Sequence, residues 1–127
     1  MSHSIIGMWT LVSTRAWTDE EHPLPPPFGP LPRGVVVFYE NSRMMCVLTD
    51  GRDHLDAARE YSSYTGIYTF DGTVLTTHVD QSVNQERIGG DQVRGVRFED
   101  GYMLLTPPSR PHPSGTEHRE LKWQRVS

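Results

Sequence analysis

Gln92-Val93-Arg94-Gly95-Val96-Arg97-Phe98-Glu99-Asp100-Gly101-Tyr102-Met103-Leu104-Leu105-Thr106-Pro107 is the stretch whose reading sets the fold. Two β-rich runs flank Asp100-Gly101, a dipeptide that tolerates the positive φ angles of a tight hairpin turn. With those two residues in the turn, Phe98 faces Met103, Val96 faces Leu105 and Arg94 faces Pro107. Side chains alternate along a strand, so the apolar members of this set share one face and must point into a core. Arg94, and Gln92 before it, then point inward too. A buried arginine needs partners, because an unpaired buried charge is strongly destabilising.

The same logic extends outward. A second Asp-Gly pair, Asp71-Gly72, joins Tyr64–Phe70 to Thr73–Asp80. It sorts Tyr64, Tyr68, Phe70, Leu75, Thr77 and Val79 onto an aromatic face, the interior. Thr65, Ile67, Thr69, Thr76 and His78 fall outside, unless a bulge reverses His78. Gly7–Trp17, Gly34–Tyr39, Met44–Asp50 and Thr116–Val126 read as further strands, making eight in a meander. In the last of them Arg119, Leu121, Trp123 and Arg125 point inward, and His118, Glu120, Lys122 and Gln124 face solvent. The run Glu21–Pro30 is too rich in proline for a helix or an inner strand and is expected as an extended loop over one mouth. Pro107–Gly115 is a second loop. Asp53–Ser62 predicts one short helix, capped by Asp53, with His54 at its start. Gly7-Met8-Trp9 and Trp123-Gln124-Arg125 place the chain ends side by side, with the Arg125 guanidinium over the Trp9 ring. The expectation is an all-β fold: a single eight-stranded antiparallel meander barrel over residues 1–127, with one short helix. Eight strands suffice to enclose one small ligand.

Composition narrows the function. The net charge is −4, with acids and bases intermixed, which argues against a nucleic-acid partner. No apolar run approaches a membrane span, and the N-terminus lacks the pattern of a signal peptide. A single cysteine, Cys46, excludes an internal disulfide, and a cytoplasmic location fits best. There is no Gly-rich phosphate loop, no nucleophile elbow and no Cys/His spacing for zinc or haem, so neither cofactor nor metal is expected. A homodimer is compatible with the sequence.

Several blocks carry a resemblance. Trp9-Thr10-Leu11-Val12-Ser13, Phe28-Gly29-Pro30-Leu31-Pro32-Arg33-Gly34 and Tyr64-Thr65-Gly66-Ile67-Tyr68 resemble the small lipocalin-like domain family. So do Thr77-His78-Val79-Asp80-Gln81-Ser82 and Gly89-Gly90-Asp91-Gln92-Val93-Arg94. The likeness covers nearly the whole chain in motif order and implies a calycin-like barrel with a central pocket. Thr77 stands where the family pattern has histidine, so no histidine chemistry is carried over. Members of lipocalin-like barrels in biosynthetic pathways catalyse cofactor-free isomerisations or cyclisations, and others have no known activity.

The candidate site follows. Arg94 and Tyr64 are the candidate catalytic residues: the guanidinium to hold a carboxylate or enolate oxygen, the phenol to relay a proton. Arg94 could equally brace the barrel by pairing internally. Candidate ligand contacts are Tyr39, Met44, Tyr68, Thr77, His78, Gln92, Met103 and Arg119. Tyrosines in such positions often only fill a core, and the register places His78 outside. The partner implied is a small, mostly apolar molecule with a carbonyl or anionic end. Two functions compete: a cofactor-free isomerase or cyclase of secondary metabolism, and a non-catalytic carrier. A third class, an interaction module, would have a filled interior.

Overall fold

The computed structural model describes residues 4–18, 22–113 and 115–127. Its strands are β1 (Gly7–Thr18), β2 (Pro23–Leu24), β3 (Pro32–Phe38), β4 (Arg43–Asp50) and β5 (Tyr61–Phe70). They continue with β6 (Val74–Ser82), β7 (Asp91–Glu99), β8 (Tyr102–Thr106), β9 (Arg110–His112) and β10 (Gly115–Arg125). All neighbours pair antiparallel, and β1 also pairs with β10, so eight long strands close into a barrel with the short β2 and β9 added at one end.

The Asp100-Gly101 hairpin has the expected register, with Phe98 opposite Met103 and Val96 opposite Leu105. Both turn residues have positive φ, at 54° and 85°. The Asp71-Gly72 connection is longer than a two-residue turn: Phe70 pairs with Leu75, and Asp71 Oδ1 accepts the Thr73 and Val74 N–H groups. This slips the register by two residues, which leaves every side chain on its expected face. Further along the same pair a bulge falls at Asp80, between the Thr65–Gln81 and Gly66–Val79 partners. Its carboxylate binds both Thr65 Oγ1 and Arg43. The bulge lies beyond His78, which therefore stays exposed and pairs with Asp91 at 2.9 Å.

Barrel closure is as the chain ends suggest. Trp9 pairs with Arg125 across β1 and β10, and the Arg125 guanidinium carbon lies 4.3 Å from the indole centroid. The same side chain donates to the carbonyls of Ile6 (2.7 Å) and Ser4. Trp9, Phe38, Met44, Leu75, Met103 and Trp123 are almost wholly enclosed and form the centre of the core.

The expected helix does not form. Residues 51–60 are a loop, and Tyr61–Ser62 belong to β5. Only Leu55, Ala57 and Ala58 are apolar between Asp53 and Glu60, too little for a buried helical face, and a helix this short is marginal without one. The loop's polar groups are used instead to hold the chain against β4. Arg59 donates to the Asp50 and Arg52 carbonyls, and Asp50 N–H donates to the Glu60 carbonyl at 3.0 Å. Among the described residues the helical structure is one 3-10 turn, η1 (Gln85–Arg87). The proline-rich run is a loop from Pro25 to Leu31 after the short β2 ladder; Glu21, where the expected loop begins, lies outside the described residues. The second loop, by contrast, contains β9, and Ser114 within it lies outside the described residues.

Candidate functional site

The barrel is filled at the end where β1 begins and hollow at the other. The hollow has a volume of about 440 Å³, within the range of small-molecule sites. Its apolar wall comes from inward positions of β3, β4, β6 and β10, among them Val36, Phe38, Met44, Leu75 and Trp123. Phe28, held at φ 63°, turns its ring in from the proline-rich loop and closes part of the mouth. Its N–H donates to Glu60 Oε1 at 2.7 Å, which fastens this loop to the 51–60 loop.

The polar side of the cavity is cationic: four arginines (Arg87, Arg94, Arg110, Arg119) against two glutamates (Glu60, Glu117) line it. At the mouth, Glu117 accepts from Arg119 at 2.5 Å and from Arg110 at 3.1 Å. The hydrogen bond from Arg119 is the main reason its carboxyl is held below the usual carboxylate range. Glu117 pairs with both guanidinium groups but offsets one of their two charges, so the mouth keeps a net positive charge.

Deeper in, the balance differs. Arg94, on β7 opposite Leu75, donates to Gln92 Oε1 at 2.5 Å and to the Val93 carbonyl at 3.0 Å. Neither partner carries charge. Burial lowers its pKa, and neighbouring Arg87 lowers it further. Arg87 reaches in from η1, donates to Ser62 Oγ at 3.1 Å and sits 6.0 Å from the Tyr64 ring centroid. Among the described residues, no carboxylate forms an ion pair with either arginine.

Tyr64 and Cys46 are cross-strand partners on β5 and β4, and both line the cavity. Burial pushes the Cys46 thiol up to about 12 and raises the Tyr64 phenol. Both are therefore neutral at pH 7, and neither supplies a counter-charge. Among the described residues no three His, Cys, Asp or Glu side chains converge as metal ligands.

The positions expected from sequence separate into four groups. Arg94, Tyr64, Met44 and Arg119 line the cavity. Gln92 lies behind it, holding Arg94, with its own Nε2 buried and unpartnered. Tyr68, Thr77 and Met103 point inward as expected but are packed away from the cavity. Met103 is fully buried in the core, and Tyr68 stacks edge-on against Phe38 while its hydroxyl donates to the Tyr39 carbonyl. Tyr39 and His78 are exposed, Tyr39 because it lies beyond the end of β3. Their expected cavity contacts are corrected accordingly. Arg87, Glu60, Phe28 and Glu117 escaped sequence reading: the first three sit on loops, where alternation carries no information.

The chain matches the lipocalin-like domain family over residues 6–126. It belongs to that family. No curated protein and no solved structure matched it. For a lipocalin-like barrel, an apolar hollow of this size is compatible with binding a small hydrophobic ligand. Among the described residues no helix is long and apolar enough to cross a membrane.

Proposed function

We propose that this lipocalin-like barrel binds a small, mostly apolar molecule inside the cavity, with a carbonyl or anionic end received by Arg94. The observation that carries the reading is Arg94 itself, an inward-pointing guanidinium at an apolar hollow whose only bonded partners are neutral. Desolvated arginine makes strong, directional hydrogen bonds to oxygen. Carriage or sequestration needs nothing more. We place this activity in the cytoplasm, where the lone thiol stays reduced.

A second reading is chemical: cofactor-free isomerisation or cyclisation of a secondary metabolite. It is favoured by Arg94 and the Tyr64 phenol lining one and the same cavity. Arg94 would stabilise the oxygen of an enolate as its charge develops. Tyr64, its pKa raised, would serve as a neutral hydrogen-bond donor. The proton leaving the carbon beside the carbonyl would pass to Glu60, the lining carboxylate free of arginine pairs, and return from it to another position of the enolate to give the isomer.

The test is titration with 1-anilinonaphthalene-8-sulfonate, an apolar anion that fluoresces when desolvated. Wild type should bind it, Leu121→Trp should block the hollow, and Arg94→Met should weaken binding about ten- to hundredfold, the worth of a charge-assisted hydrogen bond. Equal binding by all three proteins places the probe outside the barrel and rejects the proposal. Catalysis is read separately: isomeric product, formed about 10²–10³ slower by Arg94→Met, supports it. Unchanged recovery of ketone substrates favours the carrier.

A further inference from the structure

The cavity's charge asymmetry specifies its ligand further, given the reading above that the hollow is a ligand site. We infer that Arg94 and Arg87 together form a two-cation receptor for the ionised carboxylate of a single-tailed amphipathic acid, with the tail against the apolar wall. A neutral carbonyl would satisfy Arg94 alone. Two neighbouring guanidinium groups are different, because each raises the cost of holding the other charged away from water.

Among the described residues, no carboxylate pairs with Arg94 or Arg87. The ionisable side chains close enough to act on it are Tyr64, Arg87 and Cys46. The phenol and the thiol are both held protonated by burial. Glu117 is already bound by Arg119 and Arg110 at the mouth, and Glu60, which keeps its charge, accepts the Phe28 N–H and pairs with neither arginine. The Arg87 side chain spends its one hydrogen bond on a serine hydroxyl. A ligand carboxylate would supply the ion-pair partner that both arginines lack, and Arg94, tied to Gln92 and Val93 by only part of its five-donor fork, keeps N–H groups free for it. The two cations also arrive from different elements, β7 and η1, and both line the cavity together with Tyr64. Each can then address one carboxylate oxygen, with Met44, Leu75 and Phe38 as the tail's surface.

The experiment is calorimetric titration with four ligands sharing one tail: decanoate, methyl decanoate, decanol and decylammonium. Wild type should prefer decanoate to the ester and the alcohol by about tenfold or more, with decylammonium weakest. The preference should shrink in Arg87→Met and vanish in the Arg87→Met/Arg94→Met double variant, which should still take the ester. Ester binding thereby reports that the variant cavity is intact. If Arg94→Met fails to fold, Arg87→Met alone, changed in a surface turn, carries the comparison. Acid, ester and alcohol binding equally to wild type would overturn the two-cation receptor and leave the cavity reading standing. A preference surviving in the double variant would also overturn it. Failure of all four ligands to bind wild type would instead reject the ligand-site reading, and this inference with it.

Discussion

Replacing Arg125 with alanine tests barrel closure. The side chain makes three contacts that alanine cannot: it covers the Trp9 indole at 4.3 Å, and it donates to the Ile6 and Ser4 carbonyls. Because Arg125 itself is exposed, the cation–π contact is taken at about 0.5–1 kcal/mol, and the two hydrogen bonds at the low end of about 0.5–1.5 kcal/mol each. Together with the loss of cover over a tryptophan that is only 2% exposed, the expected cost is about 1–3 kcal/mol. For a chain of this size that corresponds to a fall in Tm of about 4–10 °C. Urea denaturation followed by tryptophan fluorescence measures it, and Arg125→Lys, which keeps the charge but loses the planar fork, should fall between the two. An Arg125→Ala protein within about 0.3 kcal/mol of wild type would show that the N-terminal segment is held by packing alone, against this reasoning.

Gly66→Ala should destabilise by about 1–3 kcal/mol, because an added Cβ runs into the His78 carbonyl and the Thr77 methyl beside the bulge; denaturation midpoints give the value, and wild-type stability would contradict the close approach. Cys46 should resist dithiobis(nitrobenzoate) in the native protein, since burial keeps the thiol protonated to about pH 12; rapid native-state labelling would show an open, ionising thiol. Acidification should weaken the fold through Glu117, whose folded pKa lies below its ordinary 4.5. The sign follows from the unfolded chain protonating first: the contribution is present above pH 4.5 and is lost as pH falls through the lower folded value. Stability measured from pH 6 to pH 3 should therefore fall less steeply in Glu117→Gln than in wild type.

The barrel was legible because alternation around two Asp-Gly turns constrains faces strongly, and a slip of two residues at Asp71-Gly72 changes no face at all. What alternation does not encode is depth along the barrel axis. Tyr68, Thr77 and Met103 do point inward, yet they lie in the filled part, whereas Met44, Tyr64 and Arg94 border the hollow. The helix over Asp53–Ser62 misled for a related reason. Its capping aspartate and alanines are local signals, but no apolar stripe backs them, and the segment is held instead by the Arg59 side chain on the Asp50 and Arg52 carbonyls and by the Glu60 carbonyl on the Asp50 N–H. Arg87 carried no signal in the sequence, since η1 is a three-residue turn and its side chain enters the site only through tertiary placement. Gly7-Met8-Trp9 against Trp123-Gln124-Arg125 was readable from the chain ends because closure makes first and last strands neighbours.

A crystal structure of the protein grown with decanoate tests the ligand site most directly. The decanoate chain should lie inside the barrel, its carboxylate within about 3 Å of Arg94 guanidinium nitrogens and its tail against Met44, Leu75 and Phe38. Decanoate found only on the outer surface, or lying in the hollow with its carboxylate turned away from Arg94, would contradict that site.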